Sequence, residues 1–356
     1  MTAGADAHPA RPAIPIRPLD AAAMAAARAR QRELVKPAGA LGRLEDLAVW
    51  LAGATGNARP QVVARVIVAA ADHGVASEEH VSAYPAAVTG QMLATFLAGQ
   101  GAITTLATEV GAGLVLVDAG VQPGSAPDDE SIVRVGIGPS ANLAAGPALT
   151  TAQVAACVDC GRELAAAAAR DGVTVLVGGE MGIGNTTPAT CLAAALTGRD
   201  GPSLVGPGTG LDAAGVQRKR EVVARALTLH ARHAHGPLGW LRRVGGGELA
   251  VLCGLALGAG EHGLGYVCDG VIATAAAAVA VAVEPDLQPR LLAGHLSPEP
   301  AHAALLEHLG LEPVLDLGMR LGEGSGAATA LAILRLACAA HDGMATFGEA
   351  GVAGRA

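Results

Sequence analysis

Val173-Thr-Val-Leu-Val-Gly-Gly-Glu180, continued by Met181-Gly-Ile-Gly-Asn-Thr-Thr187 and Pro188, passes from a β-branched apolar run through glycines into an Ala- and Leu-rich run. The first part predicts a buried parallel strand and the glycines a tight loop. Thr187 and Pro188 predict the N-cap and first position of a helix. A strand, glycine loop and helix start in this order can take a phosphate on backbone NH groups. Gly182-x-Gly184 is part of a dinucleotide fingerprint, but Thr187 stands where its third glycine would be.

Working outward, Val62 to Ala71 is a second apolar strand running into Asp72-His73-Gly74, followed by Val81-Ser-Ala-Tyr-Pro85 and a helix from Ala86 to about Ala98. Further strands are read at Gly113 to Asp118, Ile132 to Val135 and Tyr266 to Cys268, with Ala-rich helical runs between them. Strands alternating with helices predict an α/β fold built on a doubly wound, Rossmann-like parallel sheet, with ligands at the carboxyl ends of its strands. Gly294-His-Leu-Ser297-Pro-Glu-Pro300 is read as the end of that pattern, with a helix from Ala301 to Leu309 after it. Leu19 to Leu51 reads as two helices broken at Lys36-Pro-Ala-Gly39, which the C-terminal helix and tail rejoin. Residues 1–15, rich in Ala and Pro, are expected to be a mobile tail.

A chain of 356 residues is ample for a buried core, and with aromatics at 2% that core must rely on small side chains and close approach. A formal charge of −8 offers no basic stripe for nucleic acid. The six cysteines lie in apolar surroundings and no leader pattern opens the chain, so a cytoplasmic, disulfide-free protein is expected. Cys157-Val-Asp-Cys160 has zinc or redox spacing, but no second pair follows at zinc-site distance, and no metal is assigned. The uncharged run Gly270 to Val283 is too short and too Ala-rich to span a bilayer.

Four stretches carry candidate chemistry. Leu317-Gly-Met-Arg-Leu-Gly-Glu323-Gly-Ser-Gly326 sets one carboxylate between glycines, ahead of a helix from Ala327 to Ala340 whose free NH groups would face a ligand. Its plainer reading is a solvated Glu at a helix start. Lys219 is one of two lysines, two turns beyond Asp212, so its ammonium can reach back toward an anion at that helix's start. Within Arg218-Lys219-Arg220 it also reads as an ordinary solvated lysine. His73 reads as a structural histidine or a base, and Tyr84 as a flat surface for a ring. Asp269-Gly270 reads as a helix start rather than a catalytic acid.

Lys36-Pro-Ala-Gly-Ala-Leu-Gly-Arg-Leu-Glu45, Asp72-His-Gly-Val75, Val81-Ser-Ala-Tyr-Pro85, Gly179-Glu-Met-Gly-Ile-Gly-Asn-Thr-Thr187, Gly206-Pro-Gly-Thr-Gly-Leu-Asp212 and Gly318-Met-Arg-Leu-Gly-Glu-Gly-Ser-Gly326 together resemble the nicotinate-nucleotide:dimethylbenzimidazole phosphoribosyltransferases. The resemblance runs from about residue 16 to 352 in consistent order. It implies phosphoribosyl transfer from nicotinate mononucleotide to 5,6-dimethylbenzimidazole, giving α-ribazole 5′-phosphate and nicotinate for the lower ligand of cobalamin, with no cofactor. It also implies a homodimer with a large α/β domain (61–297) and a small helical domain from both chain ends (16–60 with 298–356). Residue by residue, it makes Glu323 the catalytic base and Glu180 a second active-site carboxylate. Lys219, Gly182 and Ser297 become phosphoribosyl contacts, Ser82, Tyr84 and Gln91 the base pocket, and Arg320, Leu321 and Gly322 substrate contacts.

Three departures from the family pattern are local. Glu79-His80 makes the segment before Ser82 one residue longer, Thr104 replaces an expected Asn, and Gly247 replaces an aromatic. The chemistry explains the carboxylate: a benzimidazole whose one nitrogen attacks the anomeric carbon must lose the proton on its other nitrogen, and a carboxylate raised toward neutrality suits that task. Two other readings fit parts of the chain. A nicotinamide-dinucleotide-dependent oxidoreductase would need the missing glycine, and a non-catalytic nucleotide-binding module would need neither Glu180 nor Glu323.

Overall fold

The computed structural model describes residues 14–353, so most of the expected tail lies outside the described residues. Seven parallel strands form one sheet: β1 (Ala64–Ala70), β2 (Gly113–Asp118), β3 (Val133–Arg134), β4 (Val175–Met181), β5 (Gly265–Cys268), β6 (Leu291–His295) and β7 (Pro313–Leu315), in the order β3-β2-β1-β4-β5-β6-β7. The order reverses between β1 and β4, which opens a crevice at their carboxyl ends. The helices are, in chain order, α1 (Ala21–Glu33), α2 (Arg43–Thr55), α3 (Gly74–Glu79), α4 (Val88–Leu97), α5 (Ala102–Glu109), α6 (Thr151–Arg170) and α7 (Thr186–Thr197). They continue with α8 (Ala213–His230), α9 (Gly236–Val244), α10 (Gly247–His262), α11 (Val271–Val283), α12 (Pro300–Leu309), α13 (Ser325–Gly343) and α14 (Phe347–Ala350).

Side chains alternate across the sheet, so β1 feeds two cores. Ile67 and Ala69 pack with residues of α6, α7, α10 and α11, while Val66, Val68 and Ala70 pack with residues of α2, α5 and α13. Small residues set the helix spacing. A Cβ on Gly161 of α6 would come 2.1 Å from the Val251 carbonyl oxygen, and one on Gly254 of α10 would come 2.0 Å from that of Val158. Gly247 is fixed in the same way, since a Cβ there would sit 1.7 Å from the Ala119 oxygen; the aromatic expected at 247 cannot enter this backbone. His80, shortly before Ser82, ends α3 in a left-handed turn at φ 51°.

The α/β pattern does not stop at Gly294, as the sequence suggested. Leu291 to His295 is strand β6 and Pro313 to Leu315 the edge strand β7, while α12 packs on α7 and α11. Residues 300–315, expected within the helical domain, therefore build the sheet and one of its layers. Leu-Leu-Ala-Gly-His lacks the β-branched residues that mark a strand, and β7 is only three residues long. The chain ends do meet: Arg30 donates to the carbonyls of His341 (2.8 Å) and Met344 (3.0 Å), and Leu34 bridges Thr346.

Candidate active site

β4 delivers Glu180 to the sheet's carboxyl edge, where it is buried and Asn185 donates an N–H to its Oε2. On its other side lies Gly322 at φ +86°, where a Cβ would come 2.3 Å from Glu180 Oε1. Next in the chain, Glu323 takes the left-handed conformation at φ 65°, one of two non-glycine residues to do so among those described. Such a backbone costs about 1–3 kcal/mol and persists where its surroundings impose it. They do here: Glu323 N–H donates to the Glu180 carbonyl (3.1 Å), and a Cβ on Gly179 would strike the Glu323 carbonyl oxygen at 2.3 Å. The glycine loop thus lies flat on the end of β4.

Glu323 is not the solvated helix-start residue of the plainer reading. It is 4% exposed, and its Oε2 accepts the Ile103 N–H at the first turn of α5 (3.2 Å). Nor do the first NH groups of α13 face a ligand. Asp269, at the end of β5, accepts from Gly324 (3.2 Å) and Ala327 (2.8 Å), so it caps α13 rather than its own following helix, whose N-cap is Gly270. Thr104, in the position expected to hold Asn, donates to the Gly101 carbonyl beside this turn (2.7 Å).

Burial raises three carboxyls that share one dry region. Burial, opposed by Asn185 and reinforced by Asp269, Glu248 and Glu323, lifts Glu180 to about 8. Burial also raises Glu323, with the Ile103 amide pulling it down and Asp269 pushing it up. Asp269 is raised by burial against the pull of His295. At neutral pH Glu180 therefore keeps its proton. Between its ordinary value of 4.5 and about 8 the folded chain holds a proton that the unfolded chain has released, so stability falls as pH rises through that window. Glu180→Gln should flatten this slope and raise the thermal midpoint above that of the wild type at about pH 8.5. Equal slopes in both proteins would show that Glu180 titrates normally.

A buried cation stands behind another part of the site. Lys219, on α8, is fully buried rather than solvated, and its Nζ donates to Thr186 Oγ1 (2.7 Å) and the Gly206 carbonyl (3.3 Å). The ammonium reaches not to its own helix start, where Asp212 accepts the Gly215 N–H (2.8 Å), but across to α7 and the Gly206–Gly210 turn. Burial pushes Lys219 down to about 8, with Glu299 pulling the other way. α7 begins at Thr186, one residue before the expected Thr187 cap. Its N-cap Asn185 spends its side chain on Glu180, and no side chain caps the helix. Thr187 is buried inside it.

Beside these groups lies a cavity of about 420 Å³. Tyr84, Glu180, Gly182, Ser297, Glu323 and the run Arg320-Leu321-Gly322 all line it. Three expected contacts do not. Lys219 stands behind Thr186; Ser82 shares a 3.2 Å hydrogen bond with Thr209 and so ties the Tyr84 loop to the glycine turn; Gln91 is exposed on α4, where Val88 and Met92 face the cavity instead. Thr186, Thr209, His295 and Glu299 line the cavity and were missed. Reading Leu291 to His295 as a strand would have placed the last two at the ligand edge. His73 lies beneath this surface, buried between Glu248 (2.9 Å) and Ser140 (3.1 Å), a structural setting. Cys157 and Cys160 lie on α6 with both thiols raised by burial, which suits inert side chains. No group of His, Cys, Asp and Glu suited to a metal occurs among the described residues, and none of their helices is long and apolar enough to cross a membrane.

A parallel sheet whose strand-end cavity is lined by buried carboxyls, with a buried ammonium close behind it, defines the chain as an α/β protein with an enzyme-like site at the carboxyl edge of its sheet. A family model described as "Phosphoribosyltransferase" matches residues 16–352. The nicotinate-nucleotide–dimethylbenzimidazole phosphoribosyltransferase of Pseudomonas putida (strain W619) is 50% identical over 341 residues, covering 95% of this chain and 97% of that protein. Its namesake from Azotobacter vinelandii (strain DJ) is 50% identical over 340 residues, covering 95% and 96%. The crystal structure of the enzyme of that name from Thermus thermophilus superimposes with a TM-score of 0.87 at 44% identity, covering 95% of this chain and all of that one. The chain belongs to the nicotinate-nucleotide–dimethylbenzimidazole phosphoribosyltransferase family.

Proposed function

We propose that this enzyme transfers phosphoribosyl from nicotinate mononucleotide to 5,6-dimethylbenzimidazole, releasing nicotinate and α-ribazole 5′-phosphate for cobalamin assembly. The carrying observation is Glu323: a buried carboxyl group with a raised pKa, held in a left-handed turn on a cavity that Thr186, the first residue of α7, also lines, with Lys219 behind that threonine. The nucleotide phosphate binds at α7 and the Gly206–Gly210 turn, drawn by the Lys219 ammonium behind Thr186. One nitrogen of the base attacks the anomeric carbon as the bond to the nicotinate nitrogen breaks, and that electron pair neutralises the pyridinium. Glu323 takes the proton from the other base nitrogen. Attack opposite the leaving group converts the β-linkage to α. Glu180, protonated at neutral pH, donates a hydrogen bond or relays the proton.

Tyr84 lines the cavity and is half exposed, which suits a wall that stacks on a flat bicyclic ring. Tyr84→Ala should change the ratio of kcat/KM between dimethylbenzimidazole and smaller bases by roughly 10-fold with nucleotide KM little altered. Equal losses for every base would remove Tyr84 from base choice. A homodimer in the cytoplasm belongs to the same proposal, and light scattering of the purified protein checks the dimer. Incubation with nicotinate mononucleotide and a panel of bases, followed by mass spectrometry, tests the reaction. A phosphoribosylated benzimidazole supports it; unreacted nucleotide with every base overturns it.

A further inference from the structure

Glu299 is a further buried acid of the site, beside the Gly206–Gly210 turn, 6% exposed yet lining the cavity, and the proton transfer does not use it. Its Oε1 accepts the Gly208 N–H (2.9 Å), while no donor among the described residues takes Oε2. A Cβ on Gly206 would come 2.2 Å from that Oε2, and one on Gly208 would stand 3.4 Å from Lys219 Nζ. Glu299 and Lys219 therefore flank the same glycine turn. An ionised carboxylate is acceptor-only and repels a phosphate, so the part of the ligand that meets Glu299 must bring a donor. In a phosphoribosyl group only the two sugar hydroxyls qualify, and the sugar lies one methylene beyond the phosphate oxygen.

We infer that Glu299 accepts a hydrogen bond from a ribose hydroxyl of the nucleotide and makes the site selective for ribose over deoxyribose. This rests on the nucleotide reading above. A buried acceptor left unpaired penalises the analogue that lacks the hydroxyl. Glu299 also holds Gly208, so loss of activity in a variant would not by itself show sugar binding.

The test is a comparison of kcat/KM for nicotinate mononucleotide and its 2′-deoxy and 3′-deoxy forms in wild type, Glu299→Gln and Glu299→Ala. Glu299→Gln keeps the volume and an oxygen for Gly208 but replaces the unpaired oxygen by NH2, so the test does not depend on the alanine variant folding. Wild type should lose roughly 10- to 100-fold when the recognised hydroxyl is removed, the range of a hydrogen bond to a charged group. In both variants that further loss should shrink to about 3-fold or less. Undiminished deoxy penalties in the variants, alongside normal wild-type turnover, would overturn the inference and leave Glu299 as a brace for the turn. Failure of the wild type to use the full nucleotide would instead overturn the phosphoribosyl reading, and this inference with it.

Discussion

Glu323→Gln is expected to lower kcat by roughly 10²–10⁴-fold, the scale of losing a general base, while substrate binding survives. The substitution preserves side-chain size, and the amide oxygen can still accept the Ile103 N–H that holds the carboxylate at the start of α5. The backbone strain at φ 65° is common to both residues, so the loop keeps its shape. What disappears is the capacity to accept the benzimidazole proton. Because burial raises Glu323, the wild-type pH profile should show an acidic limb above the ordinary carboxylate range, with activity falling as pH drops through it. The variant should lack or displace that limb. Residual activity that vanishes in the double variant with Glu180→Gln would show that Glu180 relays the proton. Near-normal turnover in single and double variants would remove both carboxylates from the proton transfer.

Lys219→Ala should raise the KM for the nucleotide by roughly 10-fold, because it removes the buried charge behind Thr186 and the charged donor that orients the Thr186 hydroxyl. The ammonium is buried behind Thr186 and bonded to it and to the Gly206 carbonyl. Lys219 is the group burial pushes down to about 8, so its charge is present below that pH and lost above it. Wild-type KM should therefore rise above about pH 8, and the variant should not show this rise. Unchanged KM in Lys219→Ala would place the phosphate elsewhere.

The sequence-level reading succeeded where a segment's own residues determine its state. The β-branched runs at Val62 to Ala71 and Gly113 to Asp118 are strands β1 and β2, and the glycine loop after β4 lies at the ligand edge. It failed where a distant partner decides. Leu291 to His295 has weak strand character and is fixed by pairing with β5 and by Gly294, whose missing Cβ would meet Ala327 at 2.7 Å. Local charge made Lys219 look solvated, but α7 and the glycine turn enclose it from more than ten residues away in sequence. Asp269 caps a helix 55 residues onward, which no local signal announces. The family resemblance anticipated Glu180 and Glu323 beside one cavity, while Glu299 lay hidden behind the missed strand.

The most direct single test of the central claim is a carbon-13 NMR measurement on nicotinate mononucleotide labelled at the anomeric carbon, turned over with dimethylbenzimidazole. In-line attack assisted by Glu323 predicts one α-configured ribosyl-benzimidazole phosphate for each nicotinate released. A β-configured product, or nicotinate released without a benzimidazole nucleotide, would contradict the account.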